Sequence, residues 1–292
     1  MRETIGFIGL GVMGRPMARH LLAKGYSVIG VNRSRSAVDD FVASGGTAAD
    51  SPADVARRAT VVITMVPDTP DVEQVLLGDA GVLSTLAPGS VVIDMSSISP
   101  VAAAALAARV ASAGSTMLDA PVSGGEVGAV NATLSIMVGG DTAALSRVRP
   151  LLECMGSRII HVGTTPGAGQ TCKVCNQIAI GGALAGVSEA LTLARKAGVD
   201  PVQVREALMG GFAASKVLEV HGERLIRKNF APGFRTRLYQ KDLRLAGETA
   251  AAHGVALPAT AVVAQLLNAL AASGGADLDY SALGTVLFDL AG

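Results

Sequence analysis

The chain has 292 residues, half of them hydrophobic, with 24 basic and 24 acidic side chains and a formal net charge of zero. That length allows two domains with a substantial core, and the neutral balance excludes a protein built mainly to hold nucleic acid or an anionic membrane. Aromatics make up 3% and Trp is absent while Gly reaches 35 residues, which suits close helix-on-sheet packing and leaves little stacking surface.

Met1-Arg2-Glu3 leads directly into an apolar segment, so no signal peptide is expected. Residues 4–8 predict a short strand that runs into Gly9-Leu10-Gly11-Val12-Met13-Gly14, and residues 15–24 predict a helix ended by Gly25. A GxGxxG between strand and helix is the setting a dinucleotide site requires. Gly9 makes the tight turn, Gly11 lets a pyrophosphate approach the backbone, Gly14 lets the helix sit close to the strand, and the helix N-terminus offers free N–H donors. The next strand, 27–31, ends in Asn32-Arg33-Ser34. An acidic residue there would suit NAD, whereas Arg suits a 2′-phosphate, so the expected cofactor is NADP, with NAD left open. The competing reading of Arg33 is a solvated loop cation.

Ser51-Pro52 and Ser99-Pro100 each read as an N-cap followed by Pro at the first helical position. Residues 61–66 and 91–95 are near-continuous apolar runs, as in strands covered on both faces. Together these predict a Rossmann-type doubly wound parallel sheet, with Met65-Val66-Pro67 and Ser97 at carboxyl ends of strands beside the cofactor. Further on, Ser123-Gly124-Gly125 is either a small concave site for a carboxylate or an ordinary turn. Residues 163–169 read as a hinge, which places the domain boundary at 164/165.

Residues 167–196 predict one long helix, apolar on most of its circumference and therefore expected to be buried. It carries Lys173 and Asn176 on one face. A desolvated ammonium falls from its ordinary pKa toward neutrality and becomes a candidate proton donor; alternatively its long stem carries the charge to the surface. Cys172 and Cys175 form a CxxC, read as small apolar side chains in a packed helix, and with Cys154 they are expected to be reduced thiols of a cytoplasmic protein. No metal site is expected. Gly182 and Gly186 are expected to admit another helix, in a domain suited to homodimer or homotetramer formation.

Beyond Lys196 the chain reads as helical throughout, broken near residues 198–201, 210–211, 229–233, 254 and 274–275. Residues 255–272 are uncharged but too short and too polar for a membrane span, and are expected as a buried helix. From Arg224 to Arg244 there are seven basic residues and one acidic, Asp242, with Phe230, Phe234 and Tyr239 interleaved. A nucleic-acid patch would read this way, but a phosphorylated cofactor and an anionic substrate explain it within a neutral chain.

GFIGLGVMG at 6–14, DMSSISP at 94–100, DAPVSGGEVGA at 119–129, GAGQTCKVCNQ at 167–177 and KDL at 241–243 stand in fixed order. This set closely resembles the β-hydroxyacid dehydrogenases over essentially the whole chain. The resemblance implies an N-terminal Rossmann domain, an all-α C-terminal domain joined by the long helix, and Lys173 as the catalytic residue. It implies that Ser123, Gly124 and Gly125 hold a substrate carboxylate, that Asn176 holds its oxygen substituents, that Ser97 lies near the nicotinamide and that Lys241 closes over the cofactor. Asp242 and Phe234 are further cleft candidates. Within the family, MSSISP, Asn176-Gln177 and Gly210-Gly211 before Ser215 look most like members that reduce tartronate semialdehyde, with 3-hydroxyisobutyrate-oxidising members as the near alternative. A non-catalytic NADP sensor is the rival of a different class.

Overall fold

A computed structural model describes residues 3–292 and separates the chain into two compact units, the first ending at Lys173 and the second spanning Val174–Gly292. Among the described residues nine strands lie in the first: β1 (Thr4–Ile8), β2 (Ser27–Val31), β3 (Thr47–Ala48), β4 (Val61–Thr64), β5 (Val91–Asp94), β6 (Thr116–Asp119), β7 (Val122–Ser123), β8 (Leu134–Gly139) and β9 (Gly156–Gly163). They form one sheet in the order β3-β2-β1-β4-β5-β6-β8-β7, with β9 beside β8. β1 through β6 are mutually parallel. β8 runs antiparallel to both β6 and β7 and parallel to β9, so the sheet is parallel-dominated, as expected of a Rossmann-type domain, with one reversal near its edge. Only a six-residue helix and a turn separate β7 from β8, too little chain for the crossover that a parallel return demands.

Seven helices cover this sheet: α1 (Gly14–Ala23), α2 (Arg35–Ala43), α3 (Pro52–Arg58), α4 (Thr69–Leu77), α5 (Pro100–Ser112), α6 (Gly125–Val130) and α7 (Thr142–Leu152). Alternate strand residues point to opposite faces. Ile5, Phe7, Ile63 and Ile93 join Met17, Leu21 and Phe41 in one core. Ile8, Val62 and Val92 join Val55, Leu76 and Leu106 in another. Ser51 and Ser99 cap α3 and α5 by accepting from the N–H groups of Asp54 and Ala102, each with Pro at the start of the helix.

α8 (Ala168–Lys196) begins in the first unit and continues into the second, which adds α9 (Pro201–Met209), α10 (Glu223–Arg227), α11 (Thr236–Ala252), α12 (Pro258–Ala272) and α13 (Leu283–Leu290). Among the described residues α8 is the one helix long and apolar enough to cross a membrane by length and composition, yet it is the spine of a core that includes Leu184, Tyr239, Leu243, Val263, Leu267 and Leu283. Past its first turn only one stripe of it is buried, Val174, Gln177, Gly181, Leu184, Ser188, Leu191 and Ala194 at spacings of three and four. The expectation of a helix buried on most sides is thus corrected. α11 and α12 cover a single face, and Leu193 on another is 69% exposed. Close approach occurs at Gly181, where a Cβ would meet the Tyr239 hydroxyl and Val263; Gly182 and Gly186 face open space within the chain. For the same reason Cys172 is half-buried and Cys175 exposed, and α12 buries Thr260, Val263, Leu267 and Leu270 while Val262 is exposed.

Candidate active site

The strand order reverses at β1, with β2 on one side and β4 on the other, and the glycine turn follows β1 at that switch point. Gly9 has φ +98°, and a Cβ on it would strike the Met65 carbonyl oxygen; a Cβ on Gly14 would strike the Gly9 carbonyl oxygen. A Cβ on Gly11 would meet nothing within 4 Å, so the turn is tight behind and open in front. α1 has no side-chain cap and no acidic residue in its first turn, leaving its N–H donors for an anion. These residues fit the pyrophosphate of a dinucleotide. Leu10 is buried, Val12 exposed and Met13 half-buried.

Asn32, at the end of β2, turns back toward this loop, where its Oδ1 accepts from the Leu10 N–H at 3.0 Å. Arg33 and Ser34 remain exposed; Arg33 pairs with Asp71 at 3.3 Å, and the Ser34 hydroxyl bonds that of Ser36. An exposed pair of this kind is worth little and yields readily to a stronger anion. Replacing Arg33 by Asp is expected to weaken NADPH at least about tenfold more than NADH, because reversal of charge acts only where a 2′-phosphate lies. Equal loss for both in fluorescence titrations would refute this.

Met65 and Val66 are half-buried and Pro67 is exposed after β4. The Val66 N–H donates to the Ser96 hydroxyl at 3.0 Å. Gln170, in the first turn of α8, donates through Nε2 to the Ser96 carbonyl at 2.8 Å and accepts at Oε1 from the Ile98 N–H at 3.1 Å. Its amide therefore brackets Ser97 as a neighbouring strand would. The end of β6 holds the same helix: Asp119 accepts from the Gly167 N–H through Oδ1 and from the Gln170 N–H through Oδ2, both at 2.8 Å. Two otherwise orphaned donors at a helix start thus meet a buried carboxylate within the first unit. Lys173, half-buried, lies one turn beyond Gln170.

Asp94, in register beside Asp119, is fully buried; its Oδ1 accepts from the Thr64 hydroxyl and the Ser96 N–H, and its Oδ2 has no partner among the described residues. Burial raises its pKa above the carboxylate range despite those bonds. Burial likewise raises Asp119, against the backbone N–H groups of Gly167 and Gln170. A carboxyl raised in the folded state contributes stability that is present below its unfolded pKa of about 3.9 and is lost as pH climbs through the raised value. The melting temperature of wild type relative to Asp94→Asn is therefore expected to fall as pH rises from about 4. A difference flat up to pH 9 would contradict a buried, proton-retaining Asp94.

Ser123 is half-buried in β7, and Gly124 and Gly125 are exposed with φ +131° and +60°, conformations that favour glycine and uncover the backbone. In the second unit, Asn176 is half-buried, Asp242 is 3% exposed and Lys241 Nζ lies 2.9 Å from Asp242 Oδ1. Phe234 stands edge-on to Tyr239 and Tyr280, with centroids 6.3 and 5.9 Å away. Burial pushes both tyrosine hydroxyls above their ordinary pKa.

Two family models account for nearly the whole chain: the NAD binding domain of 6-phosphogluconate dehydrogenase matches residues 4–163, and the NAD-binding domain of NADP-dependent 3-hydroxyisobutyrate dehydrogenase matches residues 167–287. The chain belongs to the β-hydroxyacid dehydrogenase family. It is 50% identical to 2-hydroxy-3-oxopropionate reductase of Escherichia coli over 96% of this chain and 95% of that one. It superimposes on a Mycobacterium tuberculosis 3-hydroxyisobutyrate dehydrogenase solved with L-serine (TM-score 0.91, 37% identity, 98% and 99% of the two chains). Psf3, solved with NADP+ and 2-OPP, is a further likeness (TM-score 0.87, 28% identity, 97% and 99%). Like its relatives, this family member is an NAD(P)-binding oxidoreductase.

The family frame locates what sequence reasoning missed. Asp94, Asp119 and Gln170 bond to residues next to expected site residues, Ser96 and Ile98 on either side of Ser97 and the start of α8 before Lys173, yet each stands in a motif read for its neighbours; the available signal was a polar residue closing an apolar strand or opening an apolar helix. In the basic cluster Arg224 pairs with Asp279, Arg227 with Glu223, Arg235 and Arg237 with Asp277, Lys241 with Asp242 and Arg244 with Glu248 within the second unit. Among the described residues no three His, Cys, Asp or Glu side chains gather as a metal site.

Proposed function

We propose that this family member uses NADPH to reduce a small carboxylate-bearing semialdehyde, 2-hydroxy-3-oxopropionate, to glycerate. The observation that carries the reading is the grip of Asp119 and Gln170 on the start of α8, which ties the turn preceding Lys173 to the carboxyl ends of β6 and β5, on the same edge of the sheet as the glycine cradle that follows β1. The bound nicotinamide supplies the hydride. Lys173 hands a proton to the aldehyde oxygen as charge develops there, so the carbonyl becomes an alcohol. The Ser123 hydroxyl and the uncovered N–H groups of Gly124 and Gly125 receive the carboxylate. Asn176 receives the hydroxyl substituent, Phe234 and Asp242 contribute to the substrate cleft, and Ser97 and Lys241 serve the nicotinamide end. Gly9 to Gly14, Asn32 to Ser34 and Met65 to Pro67 hold the dinucleotide, with Arg33 favouring NADP.

In this reading residues 1–164 bind the dinucleotide, while residues 165–292 serve substrate and assembly. Exposed Leu193 and Val262 on the helical unit suit a cytoplasmic homodimer or homotetramer, which sedimentation would reveal. The second reading, 3-hydroxyisobutyrate dehydrogenase, is favoured by the likeness to the M. tuberculosis enzyme. Steady-state rates with 2-hydroxy-3-oxopropionate, 2-methyl-3-oxopropionate, succinic semialdehyde and glyoxylate, each with NADPH and NADH, decide between them. The proposal requires the highest kcat/KM for the first substrate with NADPH, and a preference for 2-methyl-3-oxopropionate would overturn it.

A further inference from the structure

The second unit contains a chain of hydrogen bonds whose direction is set by charge at one end. Asp242, 3% exposed and paired with Lys241, accepts a short hydrogen bond at Oδ2 from Gln177 Nε2. Gln177, 5% exposed, in turn accepts at Oε1 from Asn176 Nδ2 at 2.7 Å, and its carbonyl oxygen accepts from the Tyr239 hydroxyl at 2.8 Å. A carboxylate accepts and never donates, whereas an amide has a donor end and an acceptor end. Asp242 therefore obliges Gln177 to present its nitrogen, which leaves the Gln177 oxygen for Asn176. Asn176 must answer with one N–H of its own nitrogen, which fixes the orientation of its amide and leaves Oδ1 as its acceptor beside the second N–H.

We infer that Gln177 and Asp242 are positioning residues that hold Asn176 as a hydrogen-bond acceptor, so that the site selects a small semialdehyde acid bearing a hydroxyl next to its carbonyl over one bearing a methyl there. The inference rests on the proposed reductase reading and adds its selectivity. An aldehyde oxygen carries no proton and gains nothing from Asn176 Oδ1, whereas a substrate hydroxyl can donate to it. The same polarity sorts the two substrate oxygens, with the hydroxyl directed to Asn176 and the carbonyl left for a proton donor. A methyl-bearing analogue strands the acceptor unpaired, a loss that mutational series place at about tenfold or more in affinity. Nothing in this scheme needs Asn176 to move, because the tyrosine and the carboxylate both hold the residue next to it.

The test compares 2-hydroxy-3-oxopropionate with 2-methyl-3-oxopropionate, using NADPH, in wild type, Gln177→Met and Asp242→Asn. Gln177→Met keeps the volume and removes the relay; Asp242→Asn keeps the shape and lets both amides invert. Wild type is expected to favour the hydroxyl substrate at least about tenfold in kcat/KM. In Gln177→Met that ratio should fall toward one, carried by a higher KM for the hydroxyl substrate with kcat moving less. Should Gln177→Met fail to melt cooperatively, Asp242→Asn must narrow the ratio in the same direction. A folded variant with an unchanged ratio overturns the inference alone. A wild type that turns over neither substrate overturns the reductase reading and the inference with it.

Discussion

Replacing Lys173 by Ala is expected to lower kcat for semialdehyde reduction by about 10²–10⁴-fold, the usual contribution of a positioned proton donor. Lys173 sits half-buried on α8, one turn past the segment that Asp119 and Gln170 immobilise. The glycine turn that would hold the dinucleotide is built by other residues, so NADPH affinity measured by fluorescence should change little. Lys173→Arg sharpens the test. It keeps a positive charge but gives up its proton far less readily, so it should remain as impaired as Ala if protonation is the role. Arg activity near wild type would mean that charge alone suffices, and near-normal turnover by Lys173→Ala would dismiss the mechanism.

The parts of this protein that were legible in the sequence are those where one local rule decides. GxGxxG between an apolar strand and a helix fixes the cradle because each glycine answers a separate steric demand, and the collisions at Gly9 and Gly14 are of that kind. Ser-Pro marks the starts of α3 and α5 because cap and first turn are adjacent in the chain. Contacts between distant segments were not legible. Nothing near Asp119 announces that its carboxylate ends on Gly167 and Gln170, 48 and 51 residues away. The burial of α8 was overread for a related reason: apolar composition shows what a helix can bury, while the number of partners decides what it does bury. With α11 and α12 on one side, a single stripe is covered.

Asp119→Ala is expected to cost about 3–5 kcal/mol, since it removes two hydrogen bonds to a charged acceptor and leaves the buried Gly167 and Gln170 N–H groups without it. For a unit of this size that corresponds to a melting temperature lower by about 10 °C or more. The same change frees the start of α8, and a displacement of about 1 Å at Lys173 is enough to lower kcat by about 10²-fold. The two effects can be separated. Asp119→Asn keeps one acceptor but turns an amide donor toward a backbone donor, so it should recover only part of the stability. Gln170→Ala leaves the cap on Gly167 in place and releases only the Ser96–Ile98 segment around Ser97. If kcat, measured well below the melting point, falls in Asp119→Ala and less in Gln170→Ala, the cap is what positions the lysine. If both variants melt later than wild type or keep its kcat, α8 is held by its packing in the second unit, and the carboxylate is incidental to the chemistry.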